Sequence, residues 1–227
     1  MIPLKDTIKS GNLPILVFIL LFLNTSVFIF ELFLGDSLHA FIKHYGFVPE
    51  RFFFFQDYYY SFFSFSRFFP IFTSMFLHGG VVHFLGNMLF LWVFADNVED
   101  NFGKLGFLLL YFLSGFFACL FQGLTSVKSQ VPLIGASGAI AGVLGSYFVL
   151  FPHSRIYTLV PIFLFPLFIE IPAPIFLIYW FVIQFFNGTL SLAASVWSPV
   201  AFWAHITGFI TGVLFALFRG KRKRVYH

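Results

Sequence analysis

Apolar runs long enough to cross a bilayer recur along almost the whole of this 227-residue chain, and they leave few folds open to it. Hydrophobic residues make up 59% of the chain and charged residues 10%. That is too little charge to clothe a soluble protein of this length. The bulk must therefore face lipid. Crossing a hydrocarbon core of ~30 Å takes about 20 apolar residues per helix. Six stretches suit that demand: residues 13–34, 72–94, 105–124, 135–151, 175–188 and 199–218. With short connections they fill the length, so the expectation is one all-α membrane domain over residues 1–227. It would be a polytopic six-helix bundle with no soluble appendage.

Composition also narrows the partners. Lys and Arg outnumber Asp and Glu by 13 to 9, but five of the basic residues sit in the RGKRKR segment at 219–224, just past the last apolar run. A cytoplasmic anchor accounts for them under the positive-inside rule, and nucleic acid is not an expected partner. Cys119 is the single cysteine and lies in an apolar run, so neither an intrachain disulfide nor a thiolate metal site is available. The first apolar stretch is too long for a signal-peptide core and lacks an A-x-A-like cleavage site, so it reads as a retained anchor.

Two connections stand out. Residues 35–70 are aromatic but irregular, with Asp36, Lys43, Arg51, Asp57 and Arg67 among the rings, a composition suited to the membrane interface. Residues 155–174 hold Pro161, Pro166, Pro172 and Pro174. Proline at that density breaks helices, so this stretch is expected to be an interfacial or re-entrant connection. Six crossings put both termini in the cytoplasm. Nine basic residues (Lys5, Lys9, Lys104, Arg155, Arg219, Lys221, Arg222, Lys223, Arg224) then lie inside and four (Lys43, Arg51, Arg67, Lys128) outside.

Polar groups inside membrane helices are costly and are by default candidates for function. His78, His83 and Asn87 lie in the second run, His83 and Asn87 four apart on one helical face. Ser137 opens the fourth, in GASGAIAG, and His205 lies about six residues into the sixth, in AHITGFITG. All three runs are even-numbered and travel in the same direction, so these side chains share one shallow layer beneath the outer face. Gly138 and Gly142, extended by Gly145, form one small-residue stripe, and Gly208 and Gly212 another on the His205 face. Such stripes let helix backbones approach closely, which would bring His205 to Ser137. A serine hydroxyl becomes a nucleophile when a base takes its proton. His205 suits that role, while the Ser137 backbone N–H, His83 and the Asn87 amide suit an oxyanion site. A histidine metal site at His83 and His205 lacks a supporting carboxylate or thiolate, so neither a metal nor another cofactor is expected.

These motifs resemble the rhomboid family of intramembrane serine proteases: His78, His83 and Asn87 as H-x-x-x-x-H-x-x-x-N; Gly135, Ser137 and Gly138 as G-x-S-G; Ala204, His205 and Gly208 as A-H-x-x-G. The resemblance implies a six-helix fold, a Ser137–His205 dyad and an oxyanion site with His83 and Asn87. It also implies membrane-anchored protein substrates, cut near the outer end of a transmembrane helix. Glu99 and Gly103 match the family's E-x-x-x-G signature and read as structural, as does His78. Two positions depart from the pattern: Phe69–Pro70 replaces a common Trp-Arg, and Ala141 replaces a tyrosine that supports the histidine. Two other readings compete. A catalytically silent relative that binds transmembrane helices would need neither Ser137 nor His205, and a transporter would want mid-membrane polar groups and repeat symmetry.

Overall fold

The computed structural model describes residues 1–54, 65–162, 165–193 and 200–220, the side chains of Phe65 and Ser66 excepted. Asp57 and tyrosines 58–60 of the aromatic connection, residues 221–224 of the basic segment and His227 lie outside the described residues.

A short strand, β1 (Ile2–Asp6), precedes the first long helix, α1 (Ile15–Phe33). Three short helices follow, α2 (Leu38–Tyr45), α3 (Pro49–Phe53) and α4 (Phe65–Thr73), so the aromatic connection is largely helical where described. Next come α5 (Val81–Thr125) and α6 (Ser137–Leu150), then strands β2 (Arg155–Ile162) and β3 (Phe165–Pro172), and finally α7 (Ala173–Ala193) and α8 (Phe202–Arg219).

Two sequence expectations are corrected. The span placed at 72–94 begins at Val81: residues before it belong to α4 and a 3-10 turn (Ser74–Phe76), and Gly79–Gly80 separate them from the helix. Gly80 has φ +154°, a conformation a helix cannot continue through. His78 consequently lies in a loop. The spans expected at 72–94 and 105–124 correspond to the two arms of α5, one helix on either side of a sharp kink at Gly103, where φ is 71° and ψ 170°. Second, the proline-rich stretch is a β-hairpin. β2 pairs antiparallel with β3, and β1 joins the other edge of β2 in the order β1-β2-β3. Pro161 and Pro166 face each other near the hairpin tip and Pro172 ends β3, places where a missing N–H is tolerated. The fold is therefore mostly helical with a small sheet rather than all-α.

Burial explains why the helices pack as they do. α6 is the hub, with every residue from Gly138 to Tyr147 buried, and α5 and α8 pack against it. In α1 the buried residues Val17, Leu20, Asn24, Phe28 and Glu31 fall on one face, while Phe22 and Phe33 are 71% and 84% exposed. Asn24 and Glu31 point inward with part of the apolar side chains, and the rest of the apolar ones face outward, the arrangement lipid requires. The start of α1 is held from α5: the Glu99 carboxylate accepts the N–H groups of Leu16 (3.1 Å) and Val17 (2.9 Å). Four helices (α1, α5, α7 and α8) are long and apolar enough to cross a membrane, and α6 is shorter.

Candidate active site

The first turn of α6 carries Ser137. Gly135, two residues before it, has φ +119°, and its N–H donates to the Ser74 carbonyl at 2.8 Å, which fixes the approach to the helix. The first bond inside α6 runs from the Ile140 N–H to the Ala136 carbonyl, so the N–H groups of Ser137, Gly138 and Ala139 lack a partner within the helix. They point toward the open end, where the helix dipole favours negative charge.

His205 lies closer to its helix start than the sequence reading placed it. α8 begins at Phe202, so the histidine is in the first turn, about 4.5 Å of rise along the axis. The His205 backbone N–H donates to the Ala201 carbonyl at 3.3 Å. The Ala204 N–H donates to Gln122 Oε1 on α5 at 3.2 Å. The glycines set the spacing between α6 and α8. A Cβ on Gly208 would collide with the Gly138 carbonyl, one on Gly212 with the Gly142 carbonyl, and one on Gly145 with the Phe209 carbonyl. The Ser146 hydroxyl adds a buried bond to the Gly212 carbonyl at 2.9 Å.

At this separation His205 Nε2 stands 2.8 Å from Ser137 Oγ. On the other side of the ring, Nδ1 lies 2.8 Å from Gln184 Oε1 on α7, and the Trp180 ring centroid is 5.8 Å away, tilted by 35°. His83 and Asn87 face the backbone just before the serine: a Cβ on Gly135 would lie 2.7 Å from His83 Nε2 and 3.6 Å from Asn87 Nδ2. Asn87 Nδ2 is buried with no hydrogen-bond partner among the described residues. His83 is exposed, while Ser137 and His205 are half-buried, so the site is open on the His83 side. His78 sits behind His83, with ring centroids 5.3 Å apart. The His78 backbone N–H donates to both Glu31 oxygens at 3.1 Å.

A hydroxyl paired with an imidazole, beside free donors at a helix N-terminus, has the parts that acyl transfer needs. The chain also matches the family model described as the rhomboid domain over residues 66–222. The chain belongs to the rhomboid family. Rhomboid protein 1, mitochondrial, of Saccharomyces cerevisiae is 30% identical over 155 residues, 66% of this chain and 42% of that protein. RHOMBOID-like protein 4 of Arabidopsis thaliana is 45% identical over 69 residues, 30% of this chain and 17% of that protein. The putative rhomboid protease YdcA of Bacillus subtilis is 39% identical over 75 residues, 33% of this chain and 37% of that protein. The chain thus spans less than half the length of each of these relatives. The rhomboid domain and its long apolar helices make this an integral, multi-pass membrane protein in contact with the bilayer.

Ser137, His205, His83, Asn87, Gly135 and Gly138 come together where α6 and α8 begin, while Gly142, Gly208 and Gly212 line the α6–α8 seam deeper in the core. Gln184, Trp180 and Glu31 were missed by the sequence reading. Gln184 and Glu31 carry the signal that found the others, a polar side chain in an apolar run, and the rule applied to His83 and Ser137 also selects them.

Proposed function

We propose that this rhomboid is an intramembrane serine endopeptidase that cuts membrane-anchored, single-span proteins near the outer end of their transmembrane helix. The observation that carries the reading is the 2.8 Å approach of His205 Nε2 to Ser137 Oγ across two helices whose glycines permit no wider side chains. His205 takes the hydroxyl proton as Ser137 attacks the scissile carbonyl, then returns it to the leaving amine. Water deacylates the serine by the same route in reverse. The Ser137 N–H, the His83 ring and Asn87 Nδ2 receive the developing oxyanion. No cofactor takes part in this scheme.

Counting the two arms of α5 on either side of Gly103 separately, and α6 as a crossing, gives six passes with both termini on the cytoplasmic side. The excess of Lys and Arg in the connections on that side supports this orientation. The site then opens toward the outer face, where water reaches it.

The test is co-expression with a panel of single-span reporters, alongside labelling by a serine-reactive fluorophosphonate. Wild-type protein is expected to cleave and label, and Ser137→Ala and His205→Ala to lose roughly a thousandfold or more in rate. Labelling that persists in Ser137→Ala would overturn the nucleophile assignment. Reporter capture without cleavage or labelling would favour a silent helix-binding relative.

A further inference from the structure

We infer that Gln184, backed by Trp180, is the positioning residue that holds His205 in the tautomer able to act as a base. The inference rests on the hydrolase reading above and deepens it. To accept the Ser137 proton at Nε2, a neutral imidazole must carry its own proton at Nδ1. Gln184 presents its carbonyl oxygen there, at 2.8 Å, and an amide oxygen only accepts. The Nδ1–H therefore donates to Gln184 Oε1, and the Nε2 lone pair is left facing Ser137. These are the two hydrogen bonds of the imidazole among the described residues.

The surroundings leave this task to α7. Ala141, in the turn after Ser137, carries no ring that could steady the histidine, and it packs toward Gly208 instead. Trp180 and Gln184 are four residues apart, hence on one face of α7. One limits rotation of the imidazole by ring contact and the other fixes its proton. Gln184 is buried midway along a helix whose other buried residues are Ala173, Phe176, Leu177 and Gly188, so it is the polar side chain that α7 buries. The groups facing His205 are Ser137 from α6, Gln184 and Trp180 from α7, and the titratable His83 from α5. Among the described residues no carboxylate faces it. A neutral amide thus does what a carboxylate does in other serine hydrolases, and it stabilises the imidazolium less strongly.

The experiment uses the full chain in nanodiscs and compares wild type, Gln184→Leu and Gln184→Glu, with Ser137→Ala as the blank. Two quantities are read: the pH dependence of fluorophosphonate labelling, and the 15N shifts of His205. Gln184→Leu is expected to label roughly tenfold more slowly, the worth of one hydrogen bond of ~1.4 kcal/mol. Its acid limb moves to lower pH, because the imidazolium has lost an acceptor. Gln184→Glu, of the same shape, moves the acid limb up by about one pH unit or more. Wild-type shifts report protonated Nδ1 and bare Nε2, and Gln184→Leu reports a mixture. A shared acid limb and unchanged 15N shifts in both variants would overturn the inference while leaving the dyad intact. Wild type that fails to label at Ser137 overturns the hydrolase reading instead, and the 15N shifts then decide separately whether Gln184 sets the tautomer.

Discussion

Asn87 holds an amide nitrogen buried and without a partner among the described residues, an arrangement that costs a resting protein about 1–3 kcal/mol. Removing the group should therefore spare the fold while harming the reaction. Asn87→Ala is expected to keep or raise the thermal unfolding midpoint in detergent and to lower the cleavage rate roughly a hundred- to thousandfold. A large drop in midpoint would mean the amide is a structural group. The residues of the proposed dyad were legible in the sequence because a hydroxyl and imidazoles stand out in apolar runs, and because their spacing put them on like-directed helices. Gln184 stood out no less, but a lone amide names no partner. Only the packing of α7 on α8, which apolar periodicity does not encode, shows that it meets Nδ1. The glycine at 135 was legible as part of a motif; that its bare Cα makes room for the His83 ring was not.

Helix contacts obey the same logic one level up. Gly212 has the Gly142 carbonyl where a Cβ would stand, whereas a Cβ on Gly86 would meet nothing within 4 Å. Gly212→Ala is expected to push α6 and α8 apart, costing about 1–3 kcal/mol of stability and most of the labelling. Gly86→Ala should be neutral or slightly stabilising, since alanine is the better helix former. Paired thermal melts and labelling assays check both. Glu99 offers a second test. It caps α1 from α5, so Glu99→Ala should lower stability by about 2 kcal/mol and loosen amide exchange first at Leu16 and Val17. Helices α1, α6, α7 and α8 were readable within a few residues from hydropathy alone. The start of α5 was not, because the apolar residues of α4 run into it without a change of composition. The hairpin was illegible for another reason. Proline excludes a helix at 155–174 but cannot choose a strand, and β2 completes its pairing with β1, which lies some 150 residues earlier. Such a non-local partner leaves no local trace.

At the scale of the whole molecule, β1 ties the start of the chain to the far end of the core. Asp6 accepts hydrogen bonds from Tyr147 on α6 (2.6 Å) and Asn97 on α5 (2.9 Å). Burial pushes its carboxyl up from 3.8 to about 6, with the Tyr147 hydrogen bond opposing the shift and nearby Asp96 adding to it. The docked strand therefore binds a proton more tightly than the free one. Docking should be strongest below about pH 4 and weaken as pH rises through about 6. Amide protection across residues 2–6, taken relative to the intrinsic exchange rate at each pH, is expected to fall over that window in wild type and to lose the dependence in Asp6→Asn. At the other edge of the same sheet, β3 passes into α7 without a linker, and α7 buries one face (Ala173, Phe176, Leu177, Gln184 and Gly188) while Ile175, Ile178, Phe186 and Leu190 on its other sides are exposed. The helix that tunes the imidazole thus keeps one face on the core and presents apolar side chains on the others. Membrane thickness, by setting how far that helix leans, has a mechanical route to the proton on a single ring nitrogen.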